Sequence, residues 1–195
     1  MTIDDTAGST ERLGMALAPG GLCVVQDLLN TAGIAVAPTF ELLDDETTAQ
    51  GWLDVALRTW GEQTGQAPPR IALTGDDLAP LRALRDQVRG WLTNDAHDQG
   101  PQPLAADINL RDGRLTYGPS GGGVSAVASL VHLETLLASR LGTLARLKTC
   151  MNPDCGAVFY DRSRNSTRVW HDMKSCGNAI NLRASRARRR ATTKP

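Results

Sequence analysis

CMNPDCGAVFYDRSRNSTRVWHDMKSCGN, Cys150–Asn178, gathers three of the four cysteines and one of the three histidines of this 195-residue chain. A metal site, a disulfide loop and chance are the competing readings. The spacing is C-x4-C-x15-H-x4-C, on Cys150, Cys155, His171 and Cys176. Zinc takes four soft or borderline ligands in a tetrahedron, in two close pairs with a spacer that lets the second pair return to the metal. Asn152-Pro153-Asp154-Cys155-Gly156 is turn chemistry, suited to a knuckle between the first two ligands. Cys176 stands where the helix-prone Asn178–Arg190 begins, so it can ligate from a helix start. Three clustered cysteines cannot all pair with one another. The expectation is one structural Zn2+ held by Cys150, Cys155, His171 and Cys176, with an iron–sulfur cluster as the lesser metal alternative. Four protein ligands close the shell and leave no position for a reacting water. The segment is poor in apolar residues, so metal binding is expected to supply most of its folding free energy.

Outward from this stretch, the charge divides. The whole chain is neutral, with 21 Lys+Arg against 21 Asp+Glu. Residues 148–195 carry 11 basic and 3 acidic residues, leaving 10 and 18 for residues 1–147, so the balances are +8 and −8. A basic end of this kind points to an anionic partner, with nucleic acid the first class to consider and a solvated or self-neutralising tail the plainer one. After Cys176, Arg183, Arg186 and Arg190 fall at i, i+3 and i+7 of one helical face, and Arg188 and Arg189 extend the charge. The loop before it adds Arg162, Arg164, Asn165 and Arg168, arginines mixed with small hydrogen-bonding residues that suit phosphate contacts.

The whole chain has 41% hydrophobic and 22% charged residues, the composition of a soluble globular protein. Its apolar runs are too short or too interrupted to span a bilayer, and the acidic, polar first residues do not form a secretory signal. A cytoplasmic, nucleoid-associated location is expected, where thiols stay reduced. Gly20–Ile34 fits either a strand running into a helix or a short helix. Trp52, Leu53, Ala56, Leu57 and Trp60 mark one face of a helix with Thr47 and Gln50 as its capping box and Gly65 as its stop. A second helix begins near Asp76 or Asp77, with Leu78, Leu81, Leu84, Val88, Trp91 and Leu92 inward. Ile108 and Leu110, then Leu115 and Tyr117, alternate about Asp112-Gly113, a type I′ hairpin. A Gly-rich linker leads to one helix over Val124–Leu147, or to two broken near Gly142. Cys23 and His132 read as structural residues. The fold class expected is α+β: a mixed N-terminal domain with short antiparallel strands and several helices, plus a small C-terminal zinc finger ending in a basic helix. The boundaries are a flexible N-terminus over 1–19, the mixed domain over 20–147 and the finger over 148–195.

The stretch Thr149–Arg190 resembles the CGNR-type zinc finger, a C-terminal module of bacterial proteins regarded as stress-induced transcription regulators. Cys150, Pro153, Cys155, Phe159, Asp161, Ser163, Asn165, Arg168, Trp170, Cys176, Gly177 and Asn178 match its pattern. His171 stands where the family usually has a third cysteine, and Ala179 where it has the arginine of CGNR. Residues 20–147, with Leu28–Thr31 and the acidic Glu41–Leu53, resemble its companion, the ABATE domain. The resemblance implies a non-enzymatic regulator that binds double-stranded DNA through the finger. The first domain would then sense a small-molecule ligand or mediate homodimerisation. The other reading is a zinc-stapled protein-interaction module without direct DNA contact. An enzyme would have only Asp27, Asn30 and His132 as loose polar candidates, with no catalytic arrangement among them.

Overall fold

Helix α2 (Leu22–Leu29) is buried along its whole length, and the fold is arranged to cover it. An octapeptide of Leu, Val and Cys with two amide or acid side chains has no polar face, so it is stable only when surrounded. Gly20–Ile34 is therefore a short helix with no preceding strand. The computed structural model describes residues 8–34, 39–93 and 104–192. Three longer helices pack on α2: α3 (Glu46–Thr64), α4 (Leu78–Thr93) and α5 (Gly123–Arg140). Leu53, Ala56 and Trp60 of α3, Leu81 and Val88 of α4, and Val127, Leu130 and Val131 of α5 complete a single core with Leu22, Val25, Leu28 and Leu29. No helix among the described residues is long and apolar enough to cross a membrane.

The element ends follow local chemistry, with two differences from expectation. Asp45, and not Thr47, caps α3: its carboxylate accepts from the Thr48 N–H at 2.9 Å, while Gly65 ends the helix at φ +70°. The chain enters α4 through a 3-10 turn over Gly75–Asp77, where Thr74 and Asp77 form the capping box. In the segment expected to be flexible, a short helix α1 (Ser9–Arg12) is anchored instead, with Ser9 and Thr10 buried. The reason is Asp27 on α2, whose buried carboxylate accepts from the Thr10 N–H at 2.9 Å, while the Ser9 hydroxyl donates to the Asp27 carbonyl. Residues 1–7 of that segment lie outside the described residues.

Strands β1 (Ala106–Arg111) and β2 (Arg114–Pro119) form the expected hairpin in register Ile108↔Tyr117 and Leu110↔Leu115. Asp112 and Gly113 both take positive φ, 50° and 74°, as a type I′ turn requires. Only Tyr117 reaches the core, meeting Trp60 edge to face at 6.0 Å and donating to buried Glu134 at 2.9 Å. Ile108, Leu110 and Leu115 are each about 70% exposed. Trp91, expected inward, is 38% exposed and lies against the His132 ring. After a 3-10 turn at Leu144–Arg146 come β3 (Leu147–Thr149) and β4 (Val158–Tyr160), an antiparallel pair, and finally α6 (Asn178–Thr192). The architecture is mixed α+β, with six α-helices and two two-stranded sheets among the described residues.

Candidate metal centre

The knuckle is the loop of the β3–β4 hairpin. Beyond the pair Thr149↔Val158 the ladder continues with Cys150 N–H donating to Ala157 C=O at 2.8 Å, and then the chain turns. Within the turn Cys155 N–H donates to Asn152 C=O at 2.9 Å, and Gly156 takes φ +70°. This folds Cys150 and Cys155 onto one side. The second ligand pair arrives from the other direction. Met151 N–H donates to Val169 C=O at 2.9 Å, tying the knuckle to the segment that leads into His171. Asp172 then caps a single π-turn, Met173–Gly177, accepting from the Ser175 N–H at 2.8 Å. That turn carries Cys176 inward and runs directly into α6.

The ligand atoms of Cys150, Cys155, His171 and Cys176 all lie within 4.8 Å of one another. His171 Nδ1 is 3.3 Å from Cys155 Sγ and 3.6 Å from Cys176 Sγ. Zinc–sulfur bonds of about 2.3 Å and zinc–nitrogen bonds of about 2.0–2.1 Å, at tetrahedral angles, place such atoms about 3.6 Å apart. The donor set therefore fits one zinc ion. Its chemistry fits as well: burial lowers His171, partly offset by Asp172, and keeps the imidazole neutral as a ligand must be. Without an ion, burial beside the Cys150 and Cys176 thiols pushes the Cys155 thiol up to about 12, so a cation is what makes thiolates tolerable there. Around the ligands, Asn152 Nδ2 donates to Cys176 Sγ at 3.3 Å. Arg168 donates to the His171 carbonyl at 2.5 Å. Such outer partners fix ligand orientation.

The other residues of the motif build the frame. Asp161 is fully buried and accepts from Lys148 Nζ at 2.8 Å, Ser163 N–H at 2.9 Å and Arg168 N–H at 2.8 Å. Burial opposes its ionisation, yet these bonds outweigh that and hold its carboxyl well below the usual range. Phe159 is buried beneath the Arg168 guanidinium, 5.3 Å from its ring centre.

The finger is clasped to the α-helical body. Asn30 Nδ2 donates to Val158 C=O at 2.8 Å, and Val158 N–H donates back to Asn30 Oδ1 at 2.9 Å. Gln26 Nε2 adds a bond to the same carbonyl at 3.3 Å. Arg89 bridges Leu29 C=O and Gly156 C=O, both at 2.6 Å. Asn30 and Asp27, the polar candidates for an enzymatic site, thus have structural partners. His132 lies against Trp91 at a tilt of 43°, and burial lowers its pKa. Arg89, Asn152 and Lys148 were not readable as site residues, and Asn30 was readable only as a loose polar candidate. Only Asp172, an N-cap residue ahead of a helix, carried a sequence signal.

The described arginine side chains of the finger are all exposed, and several also hold partners within the chain. Arg162 donates to Leu17 C=O at 2.6 Å and lies near the Tyr160 ring, Arg168 supports His171, and Arg183 pairs with Asp154 at 2.7 Å. Arg162 and Arg168 also line one cleft of about 470 Å³ with His171 and the Leu13–Ala16 segment. Arg164, Asn165, Arg186, Arg188 and Arg189 are exposed. Arg190 lies on α6, but its side chain falls outside what is described. A second, open groove of about 1000 Å³ runs between Trp91 and Leu92 of α4, Leu144 and the finger residues Cys150, Met151 and Arg168.

Residues 146–189 match the CGNR zinc finger family. No curated protein matches the chain.

Proposed function

We propose that the chain is a DNA-binding transcription regulator whose structural zinc fixes the start of the basic helix α6 at the finger for contact with duplex DNA. The observation that carries this reading is the direct passage from the ligand Cys176 through a π-turn into α6, whose Arg183, Arg186, Arg188 and Arg189 are exposed. A helix fixed at its start by a metal can lay a row of guanidinium groups along phosphates without first being ordered by the DNA. Arg164 and Asn165 supply further exposed donors from the finger loop. When bound, zinc supplies cross-linking of the four ligands and compensation for their thiolate charge. The chain's own residues do the rest: Asn152 and Arg168 orient the ligands, and Asp172 starts the turn. Ala179, in place of the family's arginine, is half-buried in the first turn of α6, so the contact surface lies further along the helix, from Arg183 onward.

The resemblance of residues 20–147 to the ABATE domain supports giving the body a sensing or dimerising role and no reaction. The groove between α4 and the finger, which touches Cys150, is the place for a small-molecule ligand. The test is binding of zinc-loaded protein to a mixed-sequence duplex, followed by fluorescence anisotropy over a salt series. A steep fall of affinity with salt supports the reading, and absence of binding at low salt sinks it.

One observation favours the alternative of a zinc-stapled protein-interaction module. Arg162, Arg168 and Arg183, three of the expected phosphate contacts, already have partners within the chain. Retention of an acidic protein with no retention of DNA would decide for it.

A further inference from the structure

Apart from its base on α5 and Tyr117, the β1–β2 hairpin is an arm left uncovered by the other described residues. Residues 104–110 and 112–116 are all exposed, and among the described residues neither strand has a second neighbour. A two-stranded ribbon is marginal by itself, and an open edge beside exposed Ile108 and Leu110 invites another strand.

The two edges are not equivalent. In a two-residue hairpin the pair flanking the turn, Arg111↔Arg114, exchanges hydrogen bonds, and this alternates along the ladder. Leu110, Ile108 and Ala106 therefore turn their N–H and C=O groups outward on β1, and Leu115, Tyr117 and Pro119 do so on β2. Pro119 has no N–H to offer and guards the β2 edge at its base. The β1 edge contains no proline and no bulge.

We propose that the β1 edge is a homodimer interface, in which β1 pairs antiparallel with β1 of a second copy about a two-fold axis at Asn109. The occupant follows from the strand's own sequence, Ala106-Asp107-Ile108-Asn109-Leu110-Arg111. Pairing about Asn109 sets Ile108 opposite Leu110 of the other copy and brings the outward-facing groups into register. It sets the register position of Asp107 opposite that of Arg111, an acidic residue against a basic one, and symmetry repeats the match. Asn109 meets its own counterpart. A two-fold interface must be self-complementary in this way, which a strand binding an unrelated peptide has no reason to be. The product is a four-stranded sheet with Ile108 and Leu110 covered laterally by their symmetry mates, above the size at which a sheet with an apolar face becomes stable.

This interface goes beyond the DNA reading and stands independently of it, because it is tested without DNA. Sedimentation velocity of the full, zinc-loaded chain across the micromolar range is expected to give a species of twice the 20.9 kDa chain mass. Leu110→Pro removes an outward N–H that the hairpin itself does not use, and is expected to give monomer with an unchanged circular dichroism spectrum. Asp107→Arg alone places like charges opposite each other twice and is expected to weaken the dimer about tenfold or more. Asp107→Arg with Arg111→Asp restores the match and the dimer. A monomeric wild type, a dimer indifferent to Leu110→Pro, or failure of the double swap to restore association each overturns the proposal.

Discussion

Asn30 and Val158 stand 128 residues apart and form a two-way amide clasp, at 2.8 and 2.9 Å, between the end of α2 and the first residue of β4. The side-chain amide of Asn30 behaves as one more rung of the β3–β4 ladder, with both of its polar atoms engaged by a buried backbone. Asn30→Ala would leave the Val158 N–H buried without a partner and its carbonyl with only the longer Gln26 bond. A loss of about 2–4 kcal/mol is expected from two such groups, read by urea denaturation of the zinc-loaded chain. Asn30→Asp keeps the acceptor but not the donor and should fall between. Equal stability of all three would show that the clasp is dispensable.

The metal centre predicts a binding stoichiometry and its loss. One zinc per chain is expected on elemental analysis, and Cys155→Ser or Cys176→Ser should abolish tight retention while His171→Cys should preserve it, since zinc accepts either ligand. Removal of zinc by a chelator should expose Trp170, which packs beside the cluster, and shift its fluorescence to the red. Because the thiols must lose protons to bind, affinity should fall as pH falls.

Glu134 is buried between the Trp60 Nε1–H at 2.6 Å and the Tyr117 hydroxyl at 2.9 Å, both donating to the same oxygen. Burial raises its pKa, with those two bonds only partly opposing the shift. A carboxyl whose folded pKa exceeds its unfolded value adds stability below the unfolded value and loses it as pH rises through the folded one. Glu134→Gln keeps the accepting oxygen and removes the titration. The variant's melting temperature should equal or exceed wild type above neutral pH, with a flatter profile over the region where Glu134 ionises. Asp161 acts in the opposite sense: its depressed pKa supports the fold above the usual carboxylate range and ceases to as pH falls below it.

Gly21 is the residue that lets Glu134 occupy this position. A Cβ there would fall on the Glu134 carboxylate, which Trp60 and Tyr117 prevent from moving aside. Gly21→Ala should destabilise by about 3 kcal/mol or more, as forced overpacking does. Gly51→Ala, where a Cβ meets nothing within 4 Å, is the control and should be neutral or stabilising in its exposed helix.

For DNA, Arg164→Ala and Arg186→Ala are sharper tests than Arg183→Ala, because Arg183 also pairs with Asp154. Each is expected to weaken duplex binding across sequences and to reduce the salt slope by about 1. Loss of the exposed Arg183–Asp154 pair itself should cost stability no more than about 1 kcal/mol. An unchanged slope in the double variant would remove these two residues from the interface.

Spacing rules reached the four ligands because a metal imposes its geometry on local sequence, and turn chemistry reached the hairpin because Asp112-Gly113 admits few alternatives. The short helix α2 was hard to read because eight residues give little more than two turns of period, and its two polar residues, Gln26 and Asp27, are buried with the rest. The structural roles of Asn30, Arg89 and Asn152 escaped for another reason. Their partners are backbone atoms of distant residues, and a carbonyl at Val158 or Gly156 has no identity that a sequence displays. The anchoring of Ser9 and Thr10 was hidden in the same way, since Asp27 in an apolar run reads as a polar accident until its acceptor is seen to hold α1. Arg162, Arg168 and Arg183 were legible only as charge: each is exposed, and the bonds that also tie them to Leu17, His171 and Asp154 depend on folded neighbours.

The clasp also sets an order of events during synthesis. Helix α2 leaves the ribosome long before residue 158 exists, and until then the Asn30 amide and the Arg89 guanidinium have no Gly156–Val158 segment to hold. The body's last polar positions are filled only when the β3–β4 hairpin docks, and the metal that fixes its loop arrives from outside the chain. The nascent first domain must therefore wait, incompletely sealed, for its final fifty residues.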